Sequence, residues 1–221
     1  IFNSAFPMYG AMSPLLEEAI RSIYRNCGWN VKTSKSLYPN SPRYPTLHQL
    51  PDAIDKAVAA VGYSDKVTSD FTGALKARIR SLTEGVRGEM LCPLECNEIS
   101  DTTLFEGNCI VNLDSIGSKD TKGLIMACLL MKLQEYRQVV QPDKPHFTII
   151  EEAHNLLPNI GTQQSDEGSN LRGVAVDMFV DSIAEMRARN EGFIIVDQSP
   201  SSLSPAILKH TNTKISHGLP L

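Results

Sequence analysis

Apolar and polar positions along the chain follow two different periods, and the change falls near the middle. In the first hundred residues the spacing is helical. Over MSPLLEEAIRSIY (12–24), Leu15, Leu16, Ala19, Ile20 and Ile23 recur three and four residues apart, which predicts one amphipathic helix. Ser13 is its expected cap, and Pro14 suits its first turn. The stretch WNVKTSKSLYPNSPRYPT is too broken by proline to form a single element. Two more helices are predicted over TLHQLPDAIDKAVAAVG and DFTGALKARIRSLTEG. In the second, Leu75, Ile79 and Leu82 keep helical spacing with Lys76, Arg78 and Arg80 between them. That basic run reads as a solvated helix face, with a phosphate-binding face as the alternative.

Beyond residue 105 the period shortens. CIVNLD (109–114), HFTII (146–150), GFIIVD (192–197) and TKIS (213–216) are short, β-branched and nearly continuous in apolar character, as strands buried on both faces are. Between them, 120–138 is apolar nearly all round. The segment 170–188 keeps a stripe of Leu171, Val174, Ala175, Met178, Phe179, Ile183 and Met186. Strand, helix, strand, helix, strand predicts an α/β fold with a parallel sheet and right-handed crossovers. The expected organisation is a mainly helical part, 1–105, followed by the α/β part, 106–221. In such sheets ligands collect at the carboxyl ends of the strands. Those ends carry Asp114 and Ser115, then Glu151 and Glu152, then Asp197, Gln198 and Ser199.

Composition narrows the classes. A hydrophobic fraction of 42% over 221 residues supports a packed core. A net charge of −4 gives no global basic field, so a nucleic acid partner needs a local patch or a neighbouring subunit. No apolar run reaches the ~18 to 20 residues that span a bilayer; GLIMACLLMKL (123–133) is interrupted by Lys132 and fits a buried helix. Five cysteines, an odd number, suit a reduced, cytoplasmic setting, with Cys109 and Cys128 expected as small hydrophobes in apolar runs. CPLEC (92–96) reads as a loop; a zinc site there, the alternative, would need two more ligands, such as Cys109 or a distant His. The chain starts at Ile1 rather than Met, which suggests a piece of something longer.

The apolar strand HFTII running into Glu151 and Glu152 is what a nucleotide hydrolase uses, one carboxylate near Mg²⁺ and the other on the attacking water. Successive strand residues face opposite ways, so the two acids divide these roles only if the strand ends at them. Gln198, at the next strand's tip, is positioned to sense a γ-phosphate. Two solvated acids leading into a helix start are the plainer alternative.

The longer pattern favours the first reading. TIIEEAHNLLP, followed by EGSNLRGVAVDMFVDSIAEMRARNEGFIIVDQSPSSLSPAILKHTNTKISH, resembles the HerA/FtsK superfamily of P-loop ATPases, specifically the HerA-like ATPases related to type IV secretion motors. The resemblance covers roughly 105–217 and extends more loosely to MYGAMSPLLEEAI, CGWN and ALKARIRSL upstream. It implies a RecA-like parallel sheet flanked by helices, with an N-terminal, mainly helical insertion and with the first strand and phosphate loop missing. By the same resemblance Glu151 is the Mg²⁺-associated Walker B acid, acting through water, Glu152 the catalytic glutamate and Gln198 the phosphate sensor. Asp114 and Ser115 are expected on the nucleotide side. Arg187 would stabilise γ-phosphate charge in cis or across a subunit interface, with Arg189 as runner-up; a solvated helix end is the alternative for either. His154 is expected to make a helix-start hydrogen bond.

Two departures stand out. The first Walker B acid is Glu rather than the commoner Asp, and position 218 is Gly where relatives often carry Arg. The 221 residues contain no G-x-x-x-x-G-K-[ST] segment; GSKDTKG (117–123) has its lysine before the glycine. The expected function is therefore part of an ATP-hydrolysing DNA translocase or helicase. That motor would be hexameric when complete, bind double-stranded DNA, and act with a nuclease or other effector. A non-catalytic assembly module is the second reading. A metal-dependent hydrolase using Glu151, Glu152, Asp114 and Asp197 is the third. Loss of a first strand is expected to expose an apolar sheet edge.

Overall fold

A computed structural model describes residues 2–6, 8–92, 99–161 and 167–218. The elements in chain order are α1 (Phe2–Ala5), α2 (Met12–Asn26), β1 (Trp29–Asn30), β2 (Lys35–Ser36), α3 (Leu50–Val61), α4 (Asp65–Thr83), α5 (Gly85–Leu91), α6 (Asp101–Phe105), α7 (Lys119–Val139), β3 (His146–Ile150), α8 (Glu167–Met186), β4 (Glu191–Ile195) and α9 (Pro205–His210). The fold is mixed α/β, about 57% helical, with a parallel sheet of two strands. Contacts divide the chain into two compact units, Met8–Glu98 and Ile1–Pro7 with Ile99–Leu221.

In the first unit the stripes predicted for α2 and α4 join the core, apart from Ile20, which is half-buried. Leu15, Leu16, Ala19 and Ile23 of α2 are buried, as are Leu50, Ala53, Ile54 and Val58 of α3 and Leu75, Ile79 and Leu82 of α4. α3 contacts both α2 and α4. Its start is displaced from the predicted one: Leu47–Gln49 form a 3-10 turn behind a capping box made by Thr46 and Gln49, and Pro51 then opens the α-helix. Gly62, at φ 74°, ends α3 in the left-handed conformation that favours glycine. The expected cap of α2 is corrected: Ala11 occupies that position with no side-chain hydrogen bond, and Ser13 lies inside the helix. Of the basic run, Lys76 pairs with Asp55 of α3 and Arg78 Nη1 donates to the Ala74 carbonyl at 2.7 Å, while Arg80 is exposed.

In the second unit β3 and β4 pair in parallel, His146 opposite Glu191 and Ile150 opposite Ile195. One face of this pair, ending in Ile150, meets a core built from α7, α8 and α9, including Leu130, Leu133, Phe179, Ile183, Met186 and Ile207. The other face carries Phe147, Ile149, Ile194 and Val196, each 43–61% exposed. At the amino ends of the strands a buried ionic group closes the inner face. Arg137 Nε, from the last turn of α7, donates to Glu191 Oε2 at 2.8 Å, with both side chains wholly buried. Arg137 Nη2 donates to the Phe105 carbonyl at 2.6 Å, Thr148 Oγ1 donates to Glu191 Oε1 at 2.6 Å, and His146 Nδ1 lies 2.8 Å from the same oxygen.

Four sequence expectations change here. CIVNLD is not a strand. The Asn112 side chain accepts from Asp114 N at 2.7 Å and the Leu113 carbonyl from Ile116 N, so the segment turns, and Ile110 is 94% exposed. An Asn side chain that bonds its own backbone offers the chain an alternative to a ladder. TKIS is likewise outside any strand, with Ile215 89% exposed. The stripe of α8 holds at Ala175, Phe179, Ile183 and Met186, which are buried, and shifts elsewhere: Val176 and Val180 are buried while Val174 and Met178 face outward, and the Leu171 side chain lies outside the described residues. Cys109 and Cys128 are exposed rather than embedded; Cys92 is buried, and burial raises its thiol pKa against a hydrogen bond with Leu47 that lowers it. Cys96, and with it the far end of CPLEC, lies outside the described residues.

Candidate functional site

β3 ends at Ile150, so both acids stand beyond the strand, in the turn that follows it. Glu151 is exposed and makes no hydrogen bond or ion pair among the described residues. At Glu152 the chain reverses with φ 48° and ψ 46°, a left-handed conformation that costs a non-glycine residue roughly 1–2 kcal/mol. A 3-10 turn, Ala153–Asn155, follows in place of a longer helix. Asn155 closes it, its N and Nδ2 both donating to the Glu152 carbonyl, at 3.0 and 2.9 Å.

The loop after β4 runs alongside. Ala153 N donates to the Val196 carbonyl, Ser204 N to Leu157 O at 2.9 Å and Asn159 N to Ser202 O at 2.8 Å, so the two strand-end loops are laced together for most of their length. This lacing carries Gln198 to Glu152: the amide Nε2 donates to Oε1 at 2.9 Å. The acid and the glutamine expected to work together are in direct contact, although 46 residues separate them.

Asp197 lies beneath that contact, its side chain only 4% exposed. Its Oδ1 accepts from Ser199 N at 3.0 Å, and its Oδ2 accepts from both His154 N and His154 Nδ1 at 2.9 Å. Burial works to raise the Asp197 carboxyl. The hydrogen bonds from Ser199 and His154, together with the charge of the His154 ring, outweigh it and hold the pKa below its ordinary value near 3.8. An ionised carboxylate only accepts, so the ring donates to it and Nδ1 carries the hydrogen. On its other side that nitrogen lies 3.7 Å from Glu152 Oε2. The expected helix-start bond of His154 is thus made twice, by backbone and by ring, to the same oxygen.

The remaining expected residues lie apart. Asp114 and Ser115 are exposed in the turn before α7, and no hydrogen bond or ion pair joins either to Glu152, His154, Asp197 or Gln198. Arg187 is exposed in a 3-10 turn, Arg187–Arg189, that precedes β4. Glu152 and Gln198 lie past the carboxyl ends of the strands, so Arg187 stands beyond the opposite end, with a five-residue strand of ~16 Å between them. Arg189 Nη1 donates to the Arg137 carbonyl at 3.3 Å, also at that end. GSKDTKG is not a loop: Ser118 caps α7 and the helix runs from Lys119. Its Gly123 abuts the site, since a β-carbon there would stand 2.5 Å from the Asn155 carbonyl oxygen. Gly218 has φ 54°, a conformation that an arginine at that position would adopt only under strain.

Sequence reasoning placed Asp197 among the polar strand-end residues and missed its part. A signal was present: in DQSP an aspartate stands two residues before a backbone N–H that its side chain can accept from, ahead of a proline. Comparisons of this chain with protein-family models, with curated proteins and with solved structures find no significant match.

Proposed function

We propose that this chain contributes the acidic half of an ATP-hydrolysing site in a HerA-like DNA-translocating motor. The observation that carries the reading is the 2.9 Å bond from Gln198 Nε2 to Glu152 Oε1, which joins the tips of two adjacent parallel strands. Glu152 is then the water-activating acid. With Oε1 taken by the Gln198 amide, Oε2 remains to receive the proton of an attacking water. Gln198, released from Glu152, reads the γ-phosphate. Exposed and without a partner among the described residues, Glu151 suits Mg²⁺, an ion that keeps several waters and takes one or two carboxylates. ATP with Mg²⁺ supplies the γ-phosphoryl group and neutralises its developing charge.

The phosphate loop has to come from sequence outside these 221 residues. Arg187, beyond the far end of β4, fits an arginine acting on a neighbouring subunit's nucleotide better than one acting in cis. A homohexamer with double-stranded DNA in its pore, a nuclease or other effector as partner, and a cytoplasmic setting belong to the same proposal. So does a RecA-like sheet, in which further structure covers Phe147, Ile149, Ile194 and Val196, because parallel sheets are ordinarily covered on both faces. For the chain itself, no helix among the described residues is long and apolar enough to cross a membrane. The metal-hydrolase reading fits less well. The Asp197 oxygens are already bonded to three donors, and no group of three or more His, Cys, Asp or Glu among the described residues is arranged to hold a metal.

The deciding experiment is ATP hydrolysis with Mg²⁺, with and without double-stranded DNA, by this chain and by the same chain joined to the sequence that supplies a phosphate loop. Activity is expected only in the joined form, falling by ~10²–10⁴-fold in Glu152→Gln. No hydrolysis in either form overturns the motor reading and favours an assembly module; phosphoester cleavage by the chain alone favours the metal hydrolase.

A further inference from the structure

One carboxylate ties the two strand-end loops together directly below the Glu152–Gln198 contact. Asp197 Oδ1 holds its own loop by accepting from Ser199 N, and Oδ2 holds the neighbouring loop by accepting from His154 N and His154 Nδ1. Both loops are thereby fixed next to the residues that carry Glu152 and Gln198. Glu152 itself is held in a left-handed conformation, and a strained backbone persists only where its surroundings over-determine it. The Asp197 bonds supply that constraint on the far side of the turn, with Ala153 N on the Val196 carbonyl between them. The His154 ring, with its Nδ1 hydrogen directed at Asp197, stands 3.7 Å from Glu152 Oε2 and so lines the second carboxylate oxygen without bonding it.

We propose that Asp197, acting through His154, is a positioning residue that holds Glu152 and Gln198 in register across the ends of β3 and β4. The proposal rests on the reading of Glu152 and Gln198 as the hydrolytic pair, but its structural part stands on the hydrogen bonds alone. Asparagine in place of Asp197 keeps the shape and offers one acceptor oxygen where the carboxylate offers two. It can serve Ser199 or His154, and not both.

Two measurements test this on wild type, Asp197→Asn and His154→Gln. The first is NMR of this chain above pH 7.5, reading the His154 ring nitrogens and the Gln198 side-chain amide. Wild type is expected to show hydrogen on Nδ1 and a Gln198 amide protected from exchange. Asp197→Asn should move the hydrogen toward Nε2 and lose that protection; His154→Gln should lose part of it. The second is steady-state ATP hydrolysis by the form that includes a phosphate loop. There kcat should fall on the order of 100-fold in Asp197→Asn, with KM within about threefold, because misplacing reacting groups by ~1 Å costs that much. A smaller loss is expected in His154→Gln, which keeps the backbone bond to Asp197 and serves as the milder variant should Asp197→Asn not fold. Unchanged ring, amide and kcat in Asp197→Asn, or in His154→Gln where that variant replaces it, overturn the proposal. Should the wild-type form hydrolyse no ATP, the nucleotide reading falls, and the NMR signals alone decide whether Asp197 sets the register.

Discussion

Glu152 bears two demands at once, a backbone in the left-handed region and a side chain facing Gln198. Glycine meets the first without strain and abolishes the second. Glu152→Ala loses the same hydrogen bond and keeps the strain. Glu152→Gly should therefore be more stable than Glu152→Ala by about 1 kcal/mol in urea unfolding. Equal stabilities would show that the turn is not strained. Asp197 makes a separate prediction with pH. Its folded pKa lies below the ordinary carboxylate value, so its hydrogen bonds stabilise the fold above that ordinary value, and the contribution is lost as pH falls through the folded pKa. Asp197→Asn should be less stable than wild type at pH 7, with the gap closing in acid. Glu152 and His154, the titratable groups that adjoin it, are present in both proteins. A gap independent of pH would mean that its charge does not matter. The place of Glu152 and Gln198 just beyond two strand ends was legible in the sequence, because each follows an apolar run. The bonds of Asp197 across the two loops were not legible, since which loops lie side by side is decided by strand pairing rather than by local pattern.

Helices were the most legible elements, and the reason is visible in α2 and α4, where every position of the expected stripe except Ile20 is buried. The strands divide. HFTII and GFII form a ladder with each other, whereas CIVNLD and TKIS, equally β-branched, form none. β-Branched composition reports that a segment fits a pleated, buried surface, and carries no information on whether a neighbouring strand is there to receive it. The contact between α7 and the acidic turn depends on a single missing side chain. Alanine at Gly123 gains ~1 kcal/mol of helix propensity but sets a β-carbon 2.5 Å from the backbone oxygen of Asn155, and overpacking against backbone costs ~1–3 kcal/mol. Gly123→Ala should thus destabilise the protein and shift the amide signals of Glu152 to Asn155. Gly192→Ala meets a comparable approach from the Phe147 ring, but that ring is 61% exposed and can swing aside. It should cost less. A Gly123→Ala protein more stable than wild type would remove the claim that this glycine sets the distance between helix and site.

Viewed as a whole, the unit that contains the site carries its charges differently at its two ends. At the carboxyl ends of β3 and β4, Glu151 and Glu152 face solvent; at the amino ends, Arg137 and Glu191 are wholly buried together. An arginine in the last turn of a helix ordinarily faces water, and nothing in the local sequence of α7 marks Arg137 otherwise, because its partner lies 54 residues away. Glu191 gathers the first residue of β4, the end of α7 and two residues of β3, since Arg137, His146 and Thr148 all bond its carboxylate. Whether such a group stabilises relative to apolar residues is a separate matter from what breaking it does. Removing one member leaves the other charge buried without its counter-ion, at a cost of ~3–5 kcal/mol. Glu191→Ala should consequently lower the urea midpoint far more than Asp197→Asn does, and adding Arg137→Met should restore part of the loss, because the orphaned charge is then gone. A loss below about 1 kcal/mol in Glu191→Ala would mean that water reaches Arg137, and that the inner face of the sheet is less closed than its hydrogen bonds indicate.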